Sequence, residues 1–151
     1  MLRSCVSAHE REDAVELYRF EDWCKNVFRF VRSFADAKGQ HEAWVEGKLA
    51  QEHIWCDEVE LMCGFEDCSL DRFFVLASSR LAPVVLERLK ELRSAVEAMP
   101  TRDQMEPSRR GDAAYLASEE WRRVQAAAQA VLQAWDPPYW PWSADSEPGC
   151  S

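Results

Sequence analysis

The chain has 151 residues, of which 47% are hydrophobic and 30% are charged, and its formal net charge is −9. This composition is typical of one globular domain, because it is too apolar for a disordered chain and too often interrupted by charge for a membrane span. The negative charge disfavours direct binding to nucleic-acid backbones and to anionic membranes, both of which need clustered Lys and Arg.

The N-terminal residues, MLRSCVSAHERED, lack the apolar run of a secretory signal, and neither end carries a lipidation motif. We therefore expect an intracellular, cytoplasmic protein. Its six cysteines are then expected to be reduced thiols, and we interpret Cys24, Cys56 and Cys63 as small core residues.

Apolar residues recur at spacings of three and four through most of the chain, and the alternation typical of strands is absent. This pattern predicts an all-α fold, a single-domain antiparallel bundle of four to five helices over residues 1–135. An irregular Pro/Trp-rich C-terminal tail is predicted over residues 136–151, where four prolines exclude a helix. The tail is expected to pack on the bundle or on a partner, or to be partly disordered.

The first helix is predicted from about Arg11 to Lys38 and should end at Gly39, since glycine adopts the left-handed conformation common after helices. Its apolar half-cylinder is wide, which indicates contact with more than one neighbouring helix. The residues of this face are Leu17, Phe20, Trp23, Cys24, Val27, Phe28, Phe30, Val31, Phe34 and Ala35.

The second helix is predicted from Gln40 to about Cys63, with Gly64 as its stop. Its apolar face would hold Trp44, Val45, Leu49, Trp55, Cys56, Val59, Met62 and Cys63, and its other side Glu46, Gln51, His53, Asp57, Glu58 and Glu60. Lys48 and Glu52 interrupt the apolar face. If they are exposed, the helix is rotated or broken near Gly47.

Three more helical segments are predicted after Ser69, which is a suitable N-cap. They run from Leu70 toward Leu81, from Pro83 to about Met99, and from Asp112 to about Trp135. Proline suits the first turn of a helix, which favours a new start at Pro83. The polar stretch between Pro100 and Asp112 is predicted to be a mobile loop and the preferred internal cleavage site.

Most of the net charge is local. Residues 40–72 hold nine acids and two bases, a net charge of −7. Such a surface can be a solvated face that keeps the protein soluble, or it can steer a basic protein partner toward a docking site. The candidate partner-binding residues are Glu46, Asp57, Glu58, Glu60, Glu66 and Asp67.

The same stretch contains the donors His53, Cys56, Cys63 and Cys68. Zinc binds such donors in tetrahedral sets of four, so these residues are a candidate metal site. The spacing matches no familiar zinc finger, and two of the cysteines fall on the predicted apolar face. We therefore expect buried thiols and no metal.

Signatures of catalysis are missing from the sequence. His9, His41 and His53 are the only histidines, and none stands in a recognisable hydrolase arrangement with Ser, Cys or Asp. Glycine-rich phosphate-binding and dinucleotide-binding motifs are also missing. We expect no enzymatic activity, no catalytic residue and no cofactor.

Part of the first helix, VFRFVRSFAD, spaces its apolar residues at i, i+4 and i+7 and follows them with a small residue and an aspartate: Val27, Val31, Phe34, Ala35 and Asp36. This spacing resembles a BH3 segment, whose apolar face docks into a groove of Bcl-2-like proteins. Packing of an amphipathic helix into the chain's own core produces the same pattern.

These observations favour a non-enzymatic protein–protein interaction module, an inhibitor, adaptor or regulator that uses an acidic helical surface. Three alternatives stay open. The chain could be a structural subunit of a larger complex, with its seven tryptophans serving a permanent interface. It could be a Bcl-2-like helical bundle with groove binding, or an acidic nucleic-acid mimic that acts on a nucleic-acid-binding protein.

Overall fold

A computed structural model describes residues 8–48, 55 and 57–136, with the backbone alone for residues 8–18. Within these ranges all regular structure is helical, and the helices surround one hydrophobic core. The prediction of an all-α, single-domain fold is therefore confirmed. None of the helices described is both long enough and apolar enough to cross a bilayer. The predicted tail beyond Asp136 lies outside the described residues.

Three long helices form most of the bundle. Helix α1 (Ala8–Ala35) packs against the last helix, α7 (Glu119–Ala134), which also packs extensively against α5 (Pro83–Glu97). The buried residues of α1 recur at three and four positions: Phe20, Cys24, Val27, Val31 and Phe34. The predicted apolar face of α1 is thus confirmed where its side chains are described, and it is the face that meets the core.

The end of α1 differs from the prediction. The helix ends at Ala35, and the Asp36 carboxylate accepts a hydrogen bond from the Gly39 N–H (2.9 Å), which caps a short helix α2 (Ala37–Gln40). A Cβ on Gly39 would lie 2.1 Å from the Asp36 carboxylate. Glycine is therefore required here because the capping carboxylate occupies the space that a side chain would need, and not because the helix ends in a left-handed turn.

The predicted continuous helix from Gln40 to Cys63 is wrong. A π-helical turn at His41–Val45 is followed by non-helical residues, and Gly47 has a φ of +74°, in the left-handed region that favours glycine. The Lys48 side chain is 69% exposed. Exposure of Lys48 and Glu52 predicts a helix that is rotated or broken near Gly47, and the structure has a break there. Glu52, the second interruption, lies outside the described residues.

Helix α3 (Glu58–Glu66) starts anew because the Asp57 carboxylate accepts a hydrogen bond from the Glu60 N–H (2.8 Å). Gly64 lies inside this helix, so the prediction that it is the stop is wrong. The break and the new start together change which residues of the segment face the core. Three residues of the predicted apolar face are exposed: Val45, Val59 and Cys63.

Helix α4 (Leu70–Ala77) begins directly after Ser69, as predicted, although Ser69 has a φ of 56° and its side chain makes no capping hydrogen bond. Helix α5 begins at Pro83, as predicted, and ends at Glu97, two residues before the predicted Met99. The boundary at Pro83 follows from the fixed φ and missing N–H of proline, which are tolerated only in the first turn.

The connection after α5 is more ordered than the predicted loop. It contains two 3-10 turns, Arg102–Gln104 and Pro107–Arg109, and Met105 between them is 4% exposed. The predicted last helix is interrupted: α6 (Asp112–Leu116) ends before Ser118, whose hydroxyl accepts a hydrogen bond from the Trp121 N–H and caps α7. The second half of this pattern is therefore a separate helix with its own N-cap.

Candidate protein-binding surface and neighbouring cleft

Helix α3 has two chemically distinct sides. Its buried residues are Glu58, Leu61 and Phe65, at spacings of three and four. Its outward residues, Val59, Glu60, Cys63, Glu66 and Asp67, form what we call the α3 acidic face. Val59 is 54% exposed, so this face combines carboxylates with an accessible apolar side chain.

The end of the α3 acidic face lies in a cluster of carboxylates. Partial burial raises the pKa of the Glu66 carboxyl, and the Arg93 guanidinium opposes this shift. Three nearby carboxylates raise the same pKa: Glu97, Asp71 and Asp67. Arg93 is bonded to Asp71 and, at 3.1 Å, to Glu97. Within the described part of the chain, neither Glu66 nor Asp67 has an ion-pair partner within 4.0 Å, although the Arg93 guanidinium acts on Glu66 from a longer distance.

Two other predicted partner-binding residues have local roles. Glu46 contacts His41 (Nδ1–O 3.2 Å) and Lys48 (3.1 Å), and the hydrogen bond from Lys48 lowers the pKa of Glu46. Glu46 thus has different neighbours from Glu66. Asp57 uses its carboxylate to cap α3. The structure therefore does not bring the six predicted residues together as one cluster.

The outward orientation predicted for Glu58 is wrong. Glu58 is 4% exposed, and both of its carboxylate oxygens accept hydrogen bonds from Arg102, at 2.8 and 2.9 Å. Arg102 also donates to Asp112 (2.8 Å) and to the Arg110 carbonyl oxygen (2.7 Å). These carboxylates raise the pKa of Arg102. The buried pair ties the start of α3 to the connection between α5 and α6.

The cysteines divide by environment. Cys24 is buried in the core, as predicted, and burial raises the pKa of its thiol to about 12. Cys63 was predicted to be in the core and is exposed. Burial raises the pKa of Cys68 to about 11, which keeps this half-buried thiol protonated at neutral pH.

The candidate metal set is only partly described, since His53 and Cys56 lie outside the described residues. Among the residues that are described, no three His, Cys, Asp or Glu side chains form a group that could hold a metal ion. Within the part of the chain that is described, Cys63 and Cys68 therefore do not belong to a metal-binding group of three donors.

The segment that resembles a BH3 helix faces the interior. Val27, Val31 and Phe34 are each 0% exposed. The apolar face that would enter a partner's groove is already packed in the core of this chain, which agrees with the core-packing interpretation of its spacing.

A cleft of about 530 Å³, open to solvent, lies between α1, the end of α3 and the turn that follows α3. We call it the α1–α3 cleft. Its lining includes Arg19, Trp23, Asn26, Arg29, Phe30 and Asp67. The Trp23 indole N–H donates to the Cys68 carbonyl oxygen, which fixes one wall. No pattern in the sequence indicated this cleft, because it forms between helices that are distant along the chain.

Gly64 allows the other wall of the cleft to form. A Cβ on Gly64 would lie 2.6 Å from the Phe30 ring, and this ring is stacked on Trp55 with centroids 5.0 Å apart. We expect Gly64→Ala to lower the free energy of unfolding by about 1 kcal/mol, because the steric cost exceeds the gain in helix propensity. Urea unfolding measures the effect.

Gly111→Ala is the matched control for Gly64→Ala. Gly111 has a φ of −69°, and a Cβ there would meet nothing within 4 Å. Because Gly111 is the N-cap of α6, where alanine is disfavoured relative to glycine, this variant should lower the free energy of unfolding by about 0.5 kcal/mol, less than Gly64→Ala does. A smaller loss for Gly64→Ala than for Gly111→Ala would show that Phe30 does not pack tightly against the Gly64 backbone.

No protein-family model, no curated protein and no solved structure matches this chain. A functional proposal therefore depends on the geometry and charge of the described surfaces.

Proposed function

We propose that the protein is a non-enzymatic interaction module, an inhibitor, adaptor or regulator, whose α3 acidic face binds a basic segment of another protein. The observation that carries this proposal is the composition of one exposed helix side, which Glu60, Glu66 and Asp67 share with Val59, a residue that is 54% exposed. Exposed carboxylates attract a basic partner, and an accessible valine offers it an apolar contact.

The local charge supports this choice of partner. Residues 40–72 carry a net charge of −7, and the two bases in that stretch are Lys48 and Arg72. The electric field of charges of one sign accelerates the encounter with an oppositely charged protein surface. Added salt largely screens this field beyond about 10 Å at 0.1 M ionic strength. Binding should therefore weaken steeply as salt is added.

Charge reversal tests the proposal. The variant Glu60→Lys, Glu66→Lys and Asp67→Lys changes the net charge from −9 to −3, because each substitution adds two charges. Immobilised protein, incubated with an extract of the native host, should lose its salt-sensitive partner at least tenfold relative to the wild type. Quantitative mass spectrometry of the bound proteins is the readout.

A matched control separates the local surface from net charge. Glu87→Lys, Glu106→Lys and Asp136→Lys replace three exposed acids elsewhere and also change the net charge to −3. This control should retain the partner. If both triple variants bind the same proteins equally, or if binding does not respond to salt, the α3 acidic face is not the docking site.

A further inference from the structure

The α1–α3 cleft contains more hydrogen-bond donors than acceptors. Arg19, Asn26 and Arg29 line it, and among the residues described none of their side chains donates a hydrogen bond to the protein. The carboxylate of Asp22 is paired with Lys25 (3.6 Å), which leaves Asp67 as the unpaired acid of the lining. Each guanidinium has five N–H donors, so a ligand for this cleft must supply acceptors.

The two arginines lie well apart along α1, so the cleft can hold two separate anionic groups. They are ten positions apart, which corresponds to about 15 Å at a rise of 1.5 Å per residue. An extended peptide rises ~3.3 Å per residue and its side chains alternate between two faces, so two acidic side chains four residues apart, roughly 13 Å, lie on one face and come within reach of both arginines.

The remaining lining suits the middle of such a peptide. Asn26 lies between the arginines on the same helix and can pair with a peptide N–H or C=O group. Trp23 and Phe30 supply aromatic surface for an apolar side chain. Trp23 is held by the Cys68 carbonyl oxygen and Phe30 is stacked on Trp55, so both walls are formed before a ligand arrives.

We propose that the α1–α3 cleft binds an extended acidic peptide segment, with two carboxylates bound by Arg19 and Arg29 and an apolar residue between them against Trp23 and Phe30. A single-stranded nucleic acid also carries repeated anions, but the net charge of −9 repels a long polyanion more strongly than a peptide with two charges. This site goes beyond the α3 acidic face, because it selects the opposite charge and binds through Arg19, Arg29, Trp23 and Phe30, while Asp67 borders both surfaces.

The probe is a capped pentapeptide with glutamates at both ends and Thr, Val and Thr between them, which places the valine on the same face as both glutamates. Titration into labelled full-length protein, followed by NMR, should shift the Trp23 indole N–H and the Asn26 side-chain amide. The Arg19→Gln/Arg29→Gln variant should bind at least tenfold more weakly. Arg122→Gln/Arg123→Gln, which removes two exposed charges on α7, should bind as the wild type does.

Two comparison ligands complete the test. A peptide with glutamines in place of both glutamates should bind at least tenfold more weakly than the acidic peptide. Equal binding of the two peptides, or no shift at Trp23 and Asn26, would overturn the proposal. Tighter binding of an eight-nucleotide polythymidine would overturn it in favour of a nucleic-acid site. None of these outcomes depends on Glu60, Glu66 or the salt-sensitive partner of the α3 acidic face.

Discussion

Trp121→Ala should lower the free energy of unfolding by about 4 kcal/mol, the largest effect expected for a single substitution in this chain. Trp121 is 0% exposed and lies at the start of α7. Its ring centroid is 5.4 Å from that of Tyr115, 5.9 Å from Trp44 and 6.1 Å from Phe34. Alanine would leave a cavity where α1, α6, α7 and the π-helical turn meet.

A hydrogen bond adds to this cost. The Trp121 indole N–H donates to the Gln40 side-chain oxygen (2.9 Å), and Gln40 is 3% exposed. The Gln40 amide nitrogen donates to the carbonyl oxygens of Ser33 and Phe34, at 2.8 and 2.9 Å. Gln40 thus links the end of α1 to α7, and loss of Trp121 removes one of the partners that orient it.

Two further variants separate cavity formation from the lost hydrogen bond. Trp121→Phe keeps most of the ring contacts and removes the indole donor, while Gln125 still donates to the Gln40 oxygen (2.7 Å). Trp121→Phe should lower the free energy of unfolding by less than half as much as Trp121→Ala does. Val75→Ala, at a position 71% exposed, should change stability little. Urea unfolding followed by circular dichroism would contradict the packing account if all three variants were equally stable.

Arg102→Ala should lower the free energy of unfolding by about 3 kcal/mol, because it leaves the buried Glu58 carboxylate without its partner. The Arg102 side chain is 25% exposed, which keeps the expected loss at the lower end for a buried pair. Its guanidinium also lies 4.7 Å from the Tyr115 ring centroid and bonds to Asp112. The substitution therefore releases both α3 and the connection before α6.

A double-mutant cycle isolates the pair. If the ion pair causes the loss, Glu58→Ala/Arg102→Ala should lower the free energy of unfolding by much less than the sum of the losses in the two single variants. In the double variant neither charge is buried alone. Urea unfolding provides all four free energies. Arg122→Ala, at an exposed position on α7, should change stability by less than about 0.5 kcal/mol. Additive costs for Glu58 and Arg102 would show that the pair is not energetically coupled.

The start of α3 shows a signal that helical periodicity obscured. Asp57 is followed three residues later by Glu60, an arrangement typical of a helix N-terminus. Gly47 is a second sign of a break, since glycine accommodates positive φ. Apolar residues on both sides of Gly47 nevertheless fit one long helical face, and a single-helix prediction treats both residues as interior positions.

The candidate site was only partly predictable. Glu60, Glu66 and Asp67 were identified from local charge, and they lie on the exposed side of α3. Glu58 belongs to the same acidic stretch but is buried, because Arg102, distant along the chain, supplies its counter-charge. A list of acids cannot distinguish these cases, since the burial of a carboxylate depends on whether a cation reaches it in the folded chain.

The sequence by itself determined the all-α class, the apolar face of α1, the helix start at Pro83 and the concentration of acid between residues 40 and 72. These features depend on periodicity, proline geometry and composition, which are local properties. The tertiary structure alone decided which side of α3 is exposed, the pairing of Glu58 with Arg102, and the α1–α3 cleft. Each depends on contacts between residues far apart in the chain. Local patterns do not fix the exposed side of a helix, because a change of one residue in the helix start rotates a side chain by about 100° around the axis.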